Sequence, residues 1–132
     1  MNGLHLTADL GGCDPKTALM LESEALRTLC VNAVSQAGLG AVAELFHRFT
    51  PAIEQEQSGI TGVVLLAESH LAIHTWPELG AVTLDVYVCN LGQDNSAKAE
   101  ALMAALLTAF APGKVHRQQI TRGKAAGARS EG

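Results

Sequence analysis

The sequence predicts an α+β domain, a two-layer sandwich in which a mostly antiparallel sheet carries two helices on one face. Three observations predict it. Apolar or alternating runs at 61–67, 70–76 and 81–89 are separated only by turn-length gaps, which suits antiparallel neighbours. Two longer stretches, beginning at Ser23 and near Ser96, repeat apolar residues with the helical period. At 132 residues the chain is long enough to bury one core without staples, so 1–123 is expected to be a single domain followed by a flexible tail, 124–132.

Taken in order, Leu4-His5-Leu6-Thr7-Ala8-Asp9-Leu10 alternates as a strand with one wet face, closed by Gly11-Gly12. Asp14-Pro15 offers a cap and a first helical position, but the firmer helix start is Ser23. From there Leu26, Leu29, Cys30, Ala33, Val34 and Ala37 line one face, and Gly38 stands where a helix stops. Residues 41–49 read as a strand ending in Phe46-His47-Arg48-Phe49, and 50–59, with Pro51 and a polar run, as a surface loop. Val63-Val64-Leu65-Leu66-Ala67 is a buried strand too short for a helix, and 82–89 alternates strictly. Asp94, Asn95 or Ser96 can cap the second helix, whose face is Ala99, Leu102, Met103, Leu106, Leu107 and Phe110, ended by Pro112-Gly113. Val115 to Ile120 is an edge strand. Because strand 63–67 is apolar on both faces and two helices cover only one, the second face is expected to stack on a second copy, making a homodimer.

Composition narrows the function classes. A net charge of -4 argues against a nucleic-acid surface, which needs a basic stripe. No apolar run approaches a membrane span, and residues 1–20 show no secretory pattern. Cys13, Cys30 and Cys89 are odd in number and lack paired metal spacing, so a cytoplasmic chain with reduced thiols is expected.

The chemistry concentrates in Glu68-Ser69-His70-Leu71-Ala72-Ile73-His74-Thr75-Trp76-Pro77-Glu78, a polar cluster set between two core strands. No Gly-x-Ser-x-Gly elbow supports a hydrolase triad. His70 and His74 have metal-pair spacing only on a helix, and a strand context with no third ligand predicts no metal site. In strand 81–89, Cys89 lies on the polar side with Thr83, Asp85 and Tyr87. Trp76 is assigned to packing, and Cys13 and Cys30 to the structure.

That string, followed by Asp85-Val86-Tyr87-Val88-Cys89, closely resembles the bacterial and archaeal S-adenosylmethionine decarboxylase family. Leu4-His5-Leu6 with Cys13-Asp14, Phe46-His47-Arg48-Phe49 and Gly62-Val63-Val64 extend the resemblance over residues 3 to 110. The resemblance implies a self-cleaving, pyruvoyl-dependent proenzyme: Ser69 attacks the Glu68 carbonyl, and cleavage at 68/69 leaves a β chain 1–68 and an α chain 69–132 whose first residue becomes the pyruvoyl group. It implies that this group holds the substrate amine as a Schiff base and acts as an electron sink. By the same resemblance His74 is the processing base, Thr61 supplies the assisting hydroxyl where the family usually has serine, and Cys89 is the proton donor. Phe49 is expected to stack on adenine and Glu78 to bind ribose hydroxyls. The implied product is decarboxylated S-adenosylmethionine, the aminopropyl donor for spermidine.

The chain departs from the family at Ala81, commonly aromatic there, at Asn90, commonly glycine, and in a longer 50–60 loop. These positions fall near the substrate pocket. Two other readings therefore stand beside the first: a pyruvoyl-dependent L-ornithine or L-arginine decarboxylase, using an acid such as Asp9, Glu44 or Asp85 for the distal cation, and an uncleaved regulatory homologue.

Overall fold

The computed structural model describes residues 2–51, 53 and 57–123. The tail expected at 124–132 and part of the polar run in the 50–59 loop lie outside the described residues. The strands are β1 (Gly3–Gly11), β2 (Ala41–Arg48), β3 (Ile60–Leu66), β4 (Ser69–Trp76), β5 (Ala81–Cys89) and β6 (Lys114–Arg122), and the helices α1 (Ala18–Leu21), α2 (Ser23–Gln36) and α3 (Ser96–Phe110).

All six strands form one sheet in the order β2-β3-β4-β5-β1-β6, with every neighbouring pair antiparallel. The three central hairpin strands follow from their short connections, whereas β1 comes back to pair with β5, and β6 closes the far edge. The predicted α+β sandwich is therefore present, with one addition. Two helices were expected, and a single extra turn, α1, precedes α2. Asp14 does not start it. Its carboxylate accepts the Lys16 N–H at 3.0 Å in a turn, and the helical residues begin only at Ala18.

The alternation of β1, β4 and β5 assigns the two faces. Leu4, Leu6, Ala8, Leu71, Ile73, Val82, Leu84 and Val86 are buried under α2 and α3, against Leu26, Cys30, Leu102, Met103 and Leu106. Gly38, with φ 85°, ends α2 where a left-handed residue is needed. Asn95 is the cap residue of α3, while Asp94 accepts the Ser96 N–H at 2.9 Å. The polar side chain of Thr75 is buried and paired: it donates to the Met20 carbonyl and accepts the Ile60 N–H, both at 3.0 Å, so its burial leaves nothing unpaired.

Among the described residues no helix covers the opposite face. It carries Leu45, Val63, Leu65, Ala72, Trp76 and Ile120, interspersed with His5, Thr61, His70, His74, Asp85 and Tyr87. Leu65 is 46% exposed, so the second apolar face of β3 expected to be covered is open there in the single chain, and Leu45 beside it on β2 is 70% exposed.

Candidate active site

Ala67 and Glu68 form the two-residue turn between β3 and β4, closed by the Leu66–Ser69 pair. Glu68 has φ 55°, in the left-handed region where a side chain costs about 1 kcal/mol or more. The Glu68–Ser69 amide is thus a turn amide with local backbone strain, outside the ladder interior. Ser69 opens β4, and its hydroxyl accepts the backbone N–H of Cys89 at 3.0 Å. Register explains the meeting: His70 lies opposite Tyr87, so the end of β5 runs back alongside the turn. Two of the residues singled out by sequence, 20 positions apart, are brought together here.

A second group forms at the other end of β4. Thr61 and His74 are partners across β3 and β4, and the Thr61 hydroxyl lies 3.0 Å from His74 Nδ1. They line a cavity of about 280 Å³ together with Phe49, Trp76 and Glu78. Phe49 follows β2, anchored by its N–H to the Gly59 carbonyl, with its ring edge-on to His47 and half its surface exposed. Glu78 sits in the short 3-10 turn Pro77–Leu79 that joins β4 to β5. Trp76, expected in packing, is instead 43% exposed on the cavity wall, 6.4 Å from the His74 ring. It has even strand parity, and even positions of β4 face away from the helices.

The predicted site residues therefore fall into two groups. Glu68, Ser69 and Cys89 occupy one end of β4, and Thr61, His74, Phe49 and Glu78 the other. Ser69 and His74 are five positions apart on one strand, roughly 17 Å at 3.4 Å per residue, and an odd separation puts them on opposite faces.

Beside Ser69 lies a cluster that sequence reasoning did not assemble. Asp85 Oδ2 is 2.9 Å from His5 Nε2 and 3.1 Å from His70 Nε2. Arg122 from β6 reaches His5 Nδ1 at 3.1 Å and stands over the Tyr87 ring at 5.9 Å. A cavity of about 600 Å³ touches Glu68, Ser69, His70, Tyr87 and Arg122. The even-odd alternation of β4 and β5 put His70 and Asp85 on one face; only the register between strands puts them in contact.

The family model for S-adenosylmethionine decarboxylase matches residues 4–123. The chain belongs to this family. It is 40% identical to the S-adenosylmethionine decarboxylase proenzyme of Aquifex aeolicus, over 92% of this chain and 81% of that one. With the corresponding proenzyme of Archaeoglobus fulgidus it shares 35% identity over 92% and 97% of the two chains. The crystal structure of the adenosylmethionine decarboxylase from Aquifex aeolicus superposes with a TM-score of 0.76 at 37% identity, covering 89% of this chain and 88% of that one. A Trypanosoma brucei AdoMetDC-delta26 monomer shares the fold, at a TM-score of 0.55 and 14% identity, over 86% of this chain and 44% of that one. Family membership accounts for the α+β sheet, and among the described residues no helix is long and apolar enough to cross a membrane.

Proposed function

We propose that this chain is a proenzyme that cleaves itself between Glu68 and Ser69 and then decarboxylates S-adenosylmethionine. The observation that carries the reading is the Ser69 hydroxyl at a strained turn amide, in contact with the Cys89 end of β5. Ser69 Oγ adds to the Glu68 carbonyl carbon; the C–N bond breaks, the hydroxyl proton ends on nitrogen, and an ester replaces the amide. Loss of the Ser69 α-proton expels Glu68 as a carboxylate, and water converts the remaining enamine to a ketone with release of ammonia. The left-handed Glu68 favours the first step, because leaving the amide relieves a backbone conformation that costs about 1 kcal/mol. The residues at the turn thus fit a pyruvoyl group at position 69, whose ketone supplies the electron sink for losing carbon dioxide.

The remaining roles belong to this chain's own side chains. Cys89, whose backbone N–H meets Ser69, is the proton donor to the carbanion carbon. His74, with its ring held by Thr61, takes the α-proton during processing. Phe49 offers a flat face to adenine and Glu78 a carboxylate to the ribose diol. Within one chain His74, Phe49 and Glu78 stand too far along β4 to serve Ser69. A homodimer that stacks the two open faces about a two-fold axis brings the Glu68–Ser69 turn at the rim of one sheet toward the His74 end of its partner's β4, twice. The exposed Leu45 and Leu65 on that face, and the separation of the two groups, support this reading. The basic amino acids are not favoured as substrates. Of the acids available for a distal cation, Glu44 pairs with Arg27 at 2.8 Å on the helix side and Asp85 lies between two histidines.

Intact-mass analysis tests processing: the wild type should separate into 1–68 and 69–132, the latter with a blocked N-terminus, and the Ser69→Ala chain should stay whole. Co-expression tests the composite site. Ser69→Ala and His74→Ala each leave homodimers uncleaved, but mixed dimers should cleave the His74→Ala chain, because one of their two sites is complete. A site built within one chain gives no such rescue. Decarboxylase assays with S-adenosylmethionine, ornithine and arginine side by side test the substrate, and a chain that cleaves but turns over none of them would be a regulatory homologue.

A further inference from the structure

The His5–Asp85–His70 cluster takes no part in the roles above, and its hydrogen bonds determine where its protons sit. Arg122 has only donors, so His5 Nδ1, 3.1 Å away, must accept. His5 therefore carries its proton on Nε2 and donates it to Asp85 at 2.9 Å. An ionised carboxylate only accepts, so His70 also donates from Nε2, at 3.1 Å. The neutral His70 ring is then left with its lone pair on Nδ1. This is the arrangement of an imidazole base whose second nitrogen is held by a carboxylate.

The three ligand atoms lie within 4.8 Å of one another, close enough to hold a metal ion. The guanidinium argues against that use. A metal on His5 Nε2 moves the ring proton to Nδ1, directly against an Arg122 N–H. An acid–base role requires no such rearrangement.

His70 lines the cavity of about 600 Å³ that also touches Ser69, next to it in the chain. The titratable and charged groups around it come from every neighbouring element: Asp85 and Tyr87 on β5, His5 on β1, Arg122 on β6 and Glu68 in the turn. Imidazole is the group of this set that ordinarily exchanges a proton near neutral pH. His70 cannot serve the Ser69 hydroxyl in the uncleaved chain, because successive residues of a strand face opposite sides and that hydroxyl meets Cys89. A substrate amine is different. It arrives as an ammonium ion, with no lone pair to add to a carbonyl.

We propose that His70 is the base that takes a proton from the substrate's α-ammonium group, and that Asp85 is a positioning residue that holds its ring and tautomer. The proton passes from nitrogen to His70 Nδ1; the nitrogen regains its lone pair, and the resulting imidazolium stays beside the Asp85 carboxylate. The proposal rests on the reading that position 69 becomes the carbonyl the amine meets.

The test traps the enzyme–substrate adduct with cyanoborohydride and S-adenosylmethionine, reads it by intact mass from pH 6 to 9, and compares wild type with His70→Gln and Asp85→Asn. Wild-type trapping should level off above neutrality. His70→Gln should trap about 100-fold more slowly at pH 7.5, the lower end of what a general base contributes, and keep rising with pH as the free amine fraction grows. Asp85→Asn should trap more slowly than the wild type, because its amide oxygen can still accept from both histidines at the shared position but no longer carries the charge that steadies the His70 imidazolium. Nitrogen NMR of the uncleaved Ser69→Ala chain reads that tautomer without any carbonyl at position 69. It should show His70 protonated on Nε2, and the added Asp85→Ala change, which removes the acceptor, should release the ring from that single tautomer. A His70 protonated on Nδ1 in the Ser69→Ala chain, or an identical trapping profile in His70→Gln, overturns the proposal. So does tight zinc binding by the wild type that Asp85→Asn abolishes. A wild type that neither cleaves nor traps overturns the pyruvoyl reading itself, while the NMR result still judges the tautomer.

Discussion

The Ser69 hydroxyl accepts its hydrogen bond from the backbone N–H of Cys89, at 3.0 Å, so the contact at the cleavage site does not depend on the thiol. Processing and turnover should therefore separate in one variant. Cys89→Ala keeps the N–H and should still cleave, as read by intact mass. Its decarboxylation should fall by about 10²–10⁴-fold, the usual contribution of a general acid. Unchanged turnover would return Cys89 to a packing role at the end of β5.

Thr61 touches His74 through its hydroxyl alone among the named contacts, at 3.0 Å. Thr61→Val keeps the branched shape and removes that partner, so cleavage should slow while the fold is retained. Thr61→Ser should cleave at least as well as the wild type, because it restores the hydroxyl on a less restricted side chain. The comparison is a time course of precursor loss on freshly synthesised chain. If Thr61→Val matches the wild type, the hydroxyl is not needed for processing.

Phe49 and Glu78 are both exposed, so removing them should hardly change stability. Glu78→Gln should weaken S-adenosylmethionine binding by about 1.5–3 kcal/mol, the scale of a hydrogen bond to a charged group. Phe49→Ala should also weaken it, with cleavage intact in both. The informative measurement is KM against kcat, since a loss confined to KM identifies groups that hold the nucleoside end. A loss of cleavage in either variant would instead place these residues at the scissile bond.

Cys30, on the core-facing side of α2, is fully buried, and desolvation pushes its thiol up from 9.0 to about 12. In the unfolded chain the thiol ionises near 9.0, so between about pH 9 and 12 the native state keeps a proton that the unfolded state has lost. Stability should fall as pH rises through that window, by about 2 kcal/mol between pH 9 and 10.5, and be insensitive to this group below it. Urea unfolding of wild type and Cys30→Ala at both pH values isolates the effect from other groups. Equal pH slopes in the two proteins would contradict it. Cys13 shifts in the same direction for the same reason.

Period and punctuation, which are local properties, determined most of the fold from sequence alone. Alternation in β1 and β5, the helical period after Ser23 and Ser96, and Gly38 at the end of α2 are each read from a few neighbouring residues. The polar string at 68–78 pointed to the chemistry for the same reason, because its residue types stand side by side in the chain. What the tertiary structure decided is which residues meet across strands. Pairing of β4 with β5 brings Cys89 to Ser69, and pairing of β5 with β1 and β4 puts Asp85 between His5 and His70. Alternation fixes a side chain's face but not its partner, since sliding one strand by two residues preserves every face and changes every contact. The same geometry separates Ser69 from His74, neighbours in the string yet at opposite ends of a strand that advances about 3.4 Å per residue.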